Sequence, residues 1–178
     1  DKSRLDTYLQ QALEAFPADG MLKLVLTAGL GPRGYRYQGQ SASYALQYFP
    51  LPPVAEPAAV CLQLCEYALP HNQRLAGIKH LNRLDQVLAA AELDDGCDGL
   101  LLDAEGNVVE ALSSNIFLFD GQRWITPELK LCGVAGVMRR LLCEDIIPGL
   151  GKEVAIVPVD LASLVNAREV FVCNSVRG

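Results

Sequence analysis

Gly77-Ile78-Lys79-His80-Leu81-Asn82-Arg83-Leu84-Asp85-Gln86-Val87-Leu88 is the stretch on which the reading of this chain turns. A polar, irregular run from Pro70 to Ala76 precedes it. Asn82 can cap a helix whose apolar positions are Leu84, Val87, Leu88 and Ala91, and Asp94-Asp95-Gly96 stops that helix. Lys79 therefore lies between a loop and a helix. A lone lysine is ordinarily a solvated charge. Its apolar flanks Ile78 and Leu81 predict a partly buried site instead. Burial disfavours the ammonium form, and a neutral amine can form a Schiff base with an aldehyde.

Three other segments carry candidate chemistry. Glu110 ends the strand-like Val108-Val109-Glu110 and is followed by Ala111-Leu112-Ser113-Ser114-Asn115-Ile116-Phe117. An acid beside small residues at a strand end is often an exposed charge. The same carboxylate could hold a pyridinium N–H and keep a heteroaromatic ring electron-poor. Gly133-Val134-Ala135-Gly136-Val137-Met138-Arg139 reads as a glycine-rich entry to a helix. Such an entry exposes N–H groups at the positive end of the helix dipole, a natural phosphate seat. The plainer reading is a loop followed by a basic helix. Arg33, in Gly31-Pro32-Arg33-Gly34-Tyr35, is placed as a loop arginine that grips carboxylates would be, although a solvated loop arginine is commoner.

Around these segments the pattern is mixed. Leu5, Leu9, Leu13 and Phe16 recur at helical spacing, and Pro17 to Gly20 ends that helix. Met21–Thr27 reads as a strand with Leu22, Leu24 and Leu26 on one side. Ser41 to Pro53 holds a second strand and a proline-rich bend, and Ala58–Leu64 a third. Short strands follow over Gly99–Leu102, Val108–Ala111, Ile116–Phe119 and Arg123–Thr126, the last two flanking an Asp120-Gly121 hairpin turn. A strand over Glu153–Val159, a short helix capped by Asp160 and a strand over Glu169–Cys173 complete an α+β pattern rich in antiparallel strands.

Composition bounds the partners. The 178 residues are 51% hydrophobic and carry a net charge of −6, which supports a sizeable core and argues against a nucleic-acid surface. A locally basic site for an anionic substrate remains compatible with that charge. Six cysteines stand at 61, 65, 97, 132, 143 and 173, with two histidines; their spacing makes a metal site a weak reading. The apolar content predicts buried, reduced thiols and a cytoplasmic protein. No apolar run reaches membrane-spanning length. The start at Asp1 and the stop at Gly178 read as a chain cut at both ends.

In this order and spacing the segments resemble the fold-type-IV pyridoxal-phosphate (PLP) enzymes. That group holds branched-chain aminotransferases, D-amino-acid aminotransferases and aminodeoxychorismate lyases. The Gly77–Leu88 stretch is very close to the lyase pattern around the cofactor lysine. Gly31–Tyr35, Glu110 with Ser114-Asn115-Ile116-Phe117, Gly133–Arg139 and Val170-Phe171-Val172-Cys173-Asn174-Ser175 fall where the group has its other signatures. The resemblance implies a small N-terminal domain ending within residues 1–50 and a PLP-binding large domain over residues 51–178, with a mixed, largely antiparallel sheet or barrel and flanking helices. It implies that Lys79 holds PLP and moves protons, that Glu110 pairs with the pyridine nitrogen, and that Asn115 lines the cofactor. The N–H groups of Val137 and Met138 and the Ser175 hydroxyl would bind the phosphate. Arg33 and Tyr35 would meet a substrate carboxylate. An arginine that the group's small domain supplies to the phosphate falls outside this sequence. The implied reaction converts 4-amino-4-deoxychorismate to 4-aminobenzoate and pyruvate, a step toward folate, in a homodimer. A D-amino-acid or branched-chain aminotransferase and an inactive, cofactor-free fragment are the alternatives.

Overall fold

The computed structural model describes residues 2–16, 20–51 and 59–176. The chain divides into two units, Asp1–Pro57 and Ala58–Gly178. The predicted breaks at residues 17–19 and 52–58 lie outside the described residues.

The first unit holds helix α1 (Lys2–Ala15) and strands β1 (Met21–Thr27) and β2 (Ser43–Phe49). The strands pair antiparallel from Met21↔Phe49 to Thr27↔Ser43. Ring stacking joins helix to hairpin: Tyr8 lies 6.2 Å from Tyr44, and Phe16 lies 5.2 Å from Tyr48. The period-2 pattern in β1 has an outcome opposite to burial: Leu22, Leu24 and Leu26 are exposed, whereas Met21 and Val25 are half-buried. No residue of α1 is fully buried.

The second unit contains β3 (Cys61–Leu64), α2 (Leu84–Ala90), β4 (Cys97–Leu102), β5 (Val108–Ala111), β6 (Asn115–Phe119), β7 (Trp124–Pro127), α3 (Val137–Leu141), α4 (Ile147–Gly149), β8 (Val154–Val157), α5 (Leu161–Val165) and β9 (Glu169–Cys173). A π-helical turn, Leu142–Ile146, joins α3 to α4, so one helical run extends from Val137 to Gly149. Strands β3-β4-β5 form one sheet and β8-β7-β6-β9 another. The first mixes one parallel pair with one antiparallel pair, and the second one parallel pair with two antiparallel pairs. The fold is α+β, as expected, but these described strands form separate open sheets rather than a closed barrel.

Alternation along the strands builds the core. Leu100, Val108, Ile116 and Leu118 enter one apolar cluster with Val159 and Leu164. Their sequence neighbours Leu101 and Val109 enter a second, with Cys65, Leu69, Ala89 and Cys132. Phe117 enters a third with Ile147 and Cys173 and stacks on Phe171 at 5.0 Å. Strands buried on both faces read as continuous apolar runs, which is why β4 to β6 are legible in the sequence. Asp160 caps α5 by accepting from the Ser163 N–H at 2.7 Å.

Two expectations are corrected here. Cys61 and Cys97 are joined in a disulfide; Cys65, Cys132, Cys143 and Cys173 are free thiols. The parallel register of β3 and β4 sets Cys61 directly opposite Cys97 with the Cα atoms 4.7 Å apart, a pairing that a separation of 36 residues conceals. Helix α2 starts one residue later than Asn82 would place it. Arg83 takes the N-cap position, without a side-chain cap, and the predicted apolar positions Leu84, Val87 and Leu88 face outward while Ala89 is buried. No helix of the described residues is long and apolar enough to cross a membrane.

Candidate active site

Backbone pairing brings three of the sequence candidates together. Gly77 and Val134 form a parallel bridge: the Gly77 N–H donates to the Gly133 carbonyl at 2.9 Å, and the Ala135 N–H donates to the Gly77 carbonyl at 3.1 Å. The lysine turn is thereby tied to the glycine-rich segment. Gly77 has φ +77° and Gly133 has φ +82°, so both ends of the tie use backbone that side-chain-bearing residues rarely adopt.

Glu110 reaches the same segment from the sheet. It lies in β5 opposite Leu101 and is 4% exposed. Its Oε2 accepts from the Val134 N–H at 2.8 Å, and no other hydrogen bond reaches the carboxylate among the described residues. Burial pushes its pKa up to about 7; the Val134 N–H and the positive charges of Arg83 and Lys79 act against that rise. The Lys79 charge is thus felt at the Glu110 carboxylate. A buried acid with a single hydrogen bond has room to accept a further donor.

Asn115, the first residue of β6, is buried and clamps the next part of the loop. Its Nδ2 donates to the Val134 carbonyl at 2.7 Å, and its Oδ1 accepts from the Gly136 N–H at 3.1 Å. A Cβ on Gly136 would stand 2.2 Å from that Oδ1, so any side chain there would push the Asn115 amide out of its clamp. Gly136 is also the N-cap of α3 and offers no side chain to the helix start. Among the described residues, no side chain caps the first N–H groups of this helix, those of Val137 and Met138. Strand β9 pairs Cys173 with Asn115, and Ser175 follows two residues on in an exposed turn. The Asn174 side chain donates to the Ser114 Oγ at 3.0 Å, tying that turn to the start of β6.

Other predicted features differ. Lys79 is exposed, and its flanks Ile78 and Leu81 are 52% and 64% exposed, so the predicted partial burial of the lysine turn is corrected. Hydrogen bonds from Gly77 to Gly133 and from Ala135 to Gly77, rather than apolar cover, hold this turn. Arg33 and Tyr35 lie in the first unit, in the loop between β1 and β2, and both are exposed. Arg139 is buried and satisfied internally, donating to Thr126 Oγ1 at 3.2 Å and to the Pro127 carbonyl at 2.8 Å. The sequence reasoning missed two contributors, Arg83 and Val134. Val134 acts through its main chain, which no residue type announces; Arg83 stood in the quoted lysine stretch as an ordinary helix-start cation.

The turn of Lys79, the buried acid Glu110 and the uncapped start of α3 are therefore joined through Gly133–Gly136. The profile of the amino-transferase class IV family matches residues 1–178. The chain belongs to the class IV aminotransferase family. It is 36% identical over 163 residues to an aminodeoxychorismate lyase of Vibrio harveyi, covering 88% of this chain and 60% of that relative's length. It thus spans less than two thirds of that curated relative. Among solved structures, 4-amino-4-deoxychorismate lyase from Pseudomonas aeruginosa superposes with a TM-score of 0.87 at 42% identity, over 97% of this chain and 67% of that one. The branched-chain aminotransferase of Thermoproteus uzoniensis superposes with a TM-score of 0.86 at 22% identity, over 98% of this chain and 61% of its own, and shares the class IV fold.

Proposed function

We propose that this chain carries the PLP-binding part of a cytoplasmic lyase that converts 4-amino-4-deoxychorismate to 4-aminobenzoate and pyruvate, supplying folate synthesis. The observation that carries the reading is Glu110, a buried carboxylate with one hydrogen bond, within the field of the Lys79 amine. The similarity to aminodeoxychorismate lyases on both sides of the site supports the choice of reaction.

PLP, when bound, supplies an aldehyde for an amine and an electron-withdrawing ring. The residues fit it: Lys79 meets the aldehyde, Glu110 accepts the ring N–H, and Val137, Met138 and Ser175 hold the phosphate. Asn115 keeps Gly136 in place and so aims the α3 N–H groups. Lys79 Nζ moves a proton from the carbon bearing the substrate amine toward the departing enolpyruvyl oxygen. Arg33 and Tyr35 bind a substrate carboxylate. Residues 1–50 belong to the small domain and linker region, and residues 51–178 form the cofactor domain. The outward apolar face of α2, with Leu84 at 68% and Val87 at 62% exposed, supports a homodimer that covers it.

The test is an absorbance spectrum of the protein with PLP, followed by addition of 4-amino-4-deoxychorismate. A yellow band that is lost in Lys79→Ala, with 4-aminobenzoate released, is the expected result. A band with amino-group transfer from an amino-acid donor and no 4-aminobenzoate would replace the lyase by a transaminase. No band at all would leave a cofactor-free fragment.

A further inference from the structure

Lys79 is the middle residue of a tight turn closed by the His80 N–H, which donates to the Ile78 carbonyl at 3.1 Å. The two carbonyls that bracket Lys79 are both taken by one side chain. Arg83 Nε donates to the His80 carbonyl at 3.0 Å, and Arg83 Nη2 donates to the Ile78 carbonyl at 3.1 Å. The Arg83 main chain meanwhile opens α2, where its carbonyl accepts from the Val87 N–H at 3.1 Å. On its other side the turn is tied to Gly133 through Gly77. We propose that Arg83 is a positioning residue whose forked guanidinium clamps the turn and fixes the place from which the Lys79 amine acts.

The inference rests on the reading of Lys79 as the cofactor lysine. Its physical basis is geometric. Ile78 and Lys79 are exposed and only His80 is half-buried, so the shape of the turn depends chiefly on its hydrogen bonds. A guanidinium presents parallel donors in a rigid plane and can span two carbonyls at once; an ammonium is a point donor and cannot reproduce the span. Small displacements of a reacting group cost large factors in rate. Arg83 also has a second effect: its positive charge lowers the Glu110 pKa against the rise that burial causes. One side chain thus acts on both partners of the proposed cofactor.

The test compares Arg83→Lys and Arg83→Gln with the unaltered chain by amide hydrogen exchange without cofactor, and by the rate at which the yellow band grows on adding PLP. Loss of the fork is expected to speed exchange at the His80 amide about tenfold in both variants, with β4 to β6 still protected. Band formation should slow by about tenfold in both, because the retained charge of Arg83→Lys does not restore the span. Unchanged exchange at His80 would overturn the clamp. Faster exchange with an unchanged rate would overturn the positioning role, and so would full rescue by lysine. Should Arg83→Gln fail to fold, Arg83→Lys carries the comparison. A wild-type chain that forms no band sinks the PLP reading instead, and exchange at His80 then decides whether the clamp exists.

Discussion

The turn at Lys79 and the strand at Glu110 meet on one short segment, Gly133 to Ala135, yet the chain builds them by different means. Glu110 is fixed by a sheet with apolar clusters on both sides of its strand. Lys79 is exposed, and its turn is held by main-chain bonds with Gly133 and Ala135 and by the Arg83 fork. The buried half carries an electrostatic cost, because a carboxylate there is desolvated and has a single hydrogen bond, from the Val134 N–H. The exposed half carries none and keeps its amine accessible. A cofactor that bonds to one and neutralises the other suits this division.

The largest effect should come from the exposed half, and on chemistry alone. Lys79→Ala should abolish the PLP band and lower turnover by at least about a thousandfold, since it removes both the cofactor bond and the proton carrier. Its stability should stay within about 0.5 kcal/mol of the unaltered chain, as for surface changes generally. Urea unfolding checks the second part. A large loss of stability would show that the turn depends on Lys79 packing after all.

The next effect tests the buried half and needs no cofactor. The folded protein keeps the Glu110 proton up to about pH 7, whereas the group's unperturbed value is 4.5. The folded state therefore binds more protons than the unfolded chain within that window. Stability is full below it and falls as pH rises through it, by about 3 kcal/mol at most. Asp103, whose pKa is lowered below 3.8, and the Cys132 and Cys173 thiols, pushed up to about 11, titrate outside the window. Urea midpoints between pH 5 and 8 should fall in the cofactor-free protein and stay level in Glu110→Gln. PLP should also flatten the wild-type slope, because its ring N–H would satisfy the charged carboxylate. Equal slopes in protein and variant would remove Glu110 as the cause.

The two halves also differed in how far the sequence revealed them. Strands β4 to β6 announce themselves through runs such as Val108-Val109 and Ile116-Phe117-Leu118, because burial on both faces leaves mostly apolar residues beside Glu110 and Asn115. Residue type also picked out Lys79, Glu110 and the glycines of the loop. What it could not give was the direction of exposed faces. Ile78, Leu81, Leu84 and Val87 look like core residues, and in this chain they face outward. An amphipathic pattern records that a face is apolar, not what covers it. The Cys61–Cys97 pairing and the role of the Val134 N–H were equally hidden, since each depends on strand or loop register.

The smallest effects separate the two ends of the backbone tie. At Gly133 an alanine would face φ +82° and place its Cβ 2.7 Å from Val109 Cγ1 and 2.8 Å from Leu129 Cδ2. Strain and overlap together should cost about 2–3 kcal/mol. At Gly77 the φ of +77° is nearly the same, but the nearest atom to a new Cβ is Ala135 Cβ at an ordinary 3.4 Å. Gly77→Ala should therefore cost only the left-handed backbone, about 1 kcal/mol. Gly77→Asn should cost less, because asparagine tolerates that conformation better. Urea unfolding of the three variants reads the difference directly. If Gly77→Ala were as damaging as Gly133→Ala, the lysine turn would have to be packed as tightly as the sheet, and the contrast between a bonded turn and a buried strand would fail.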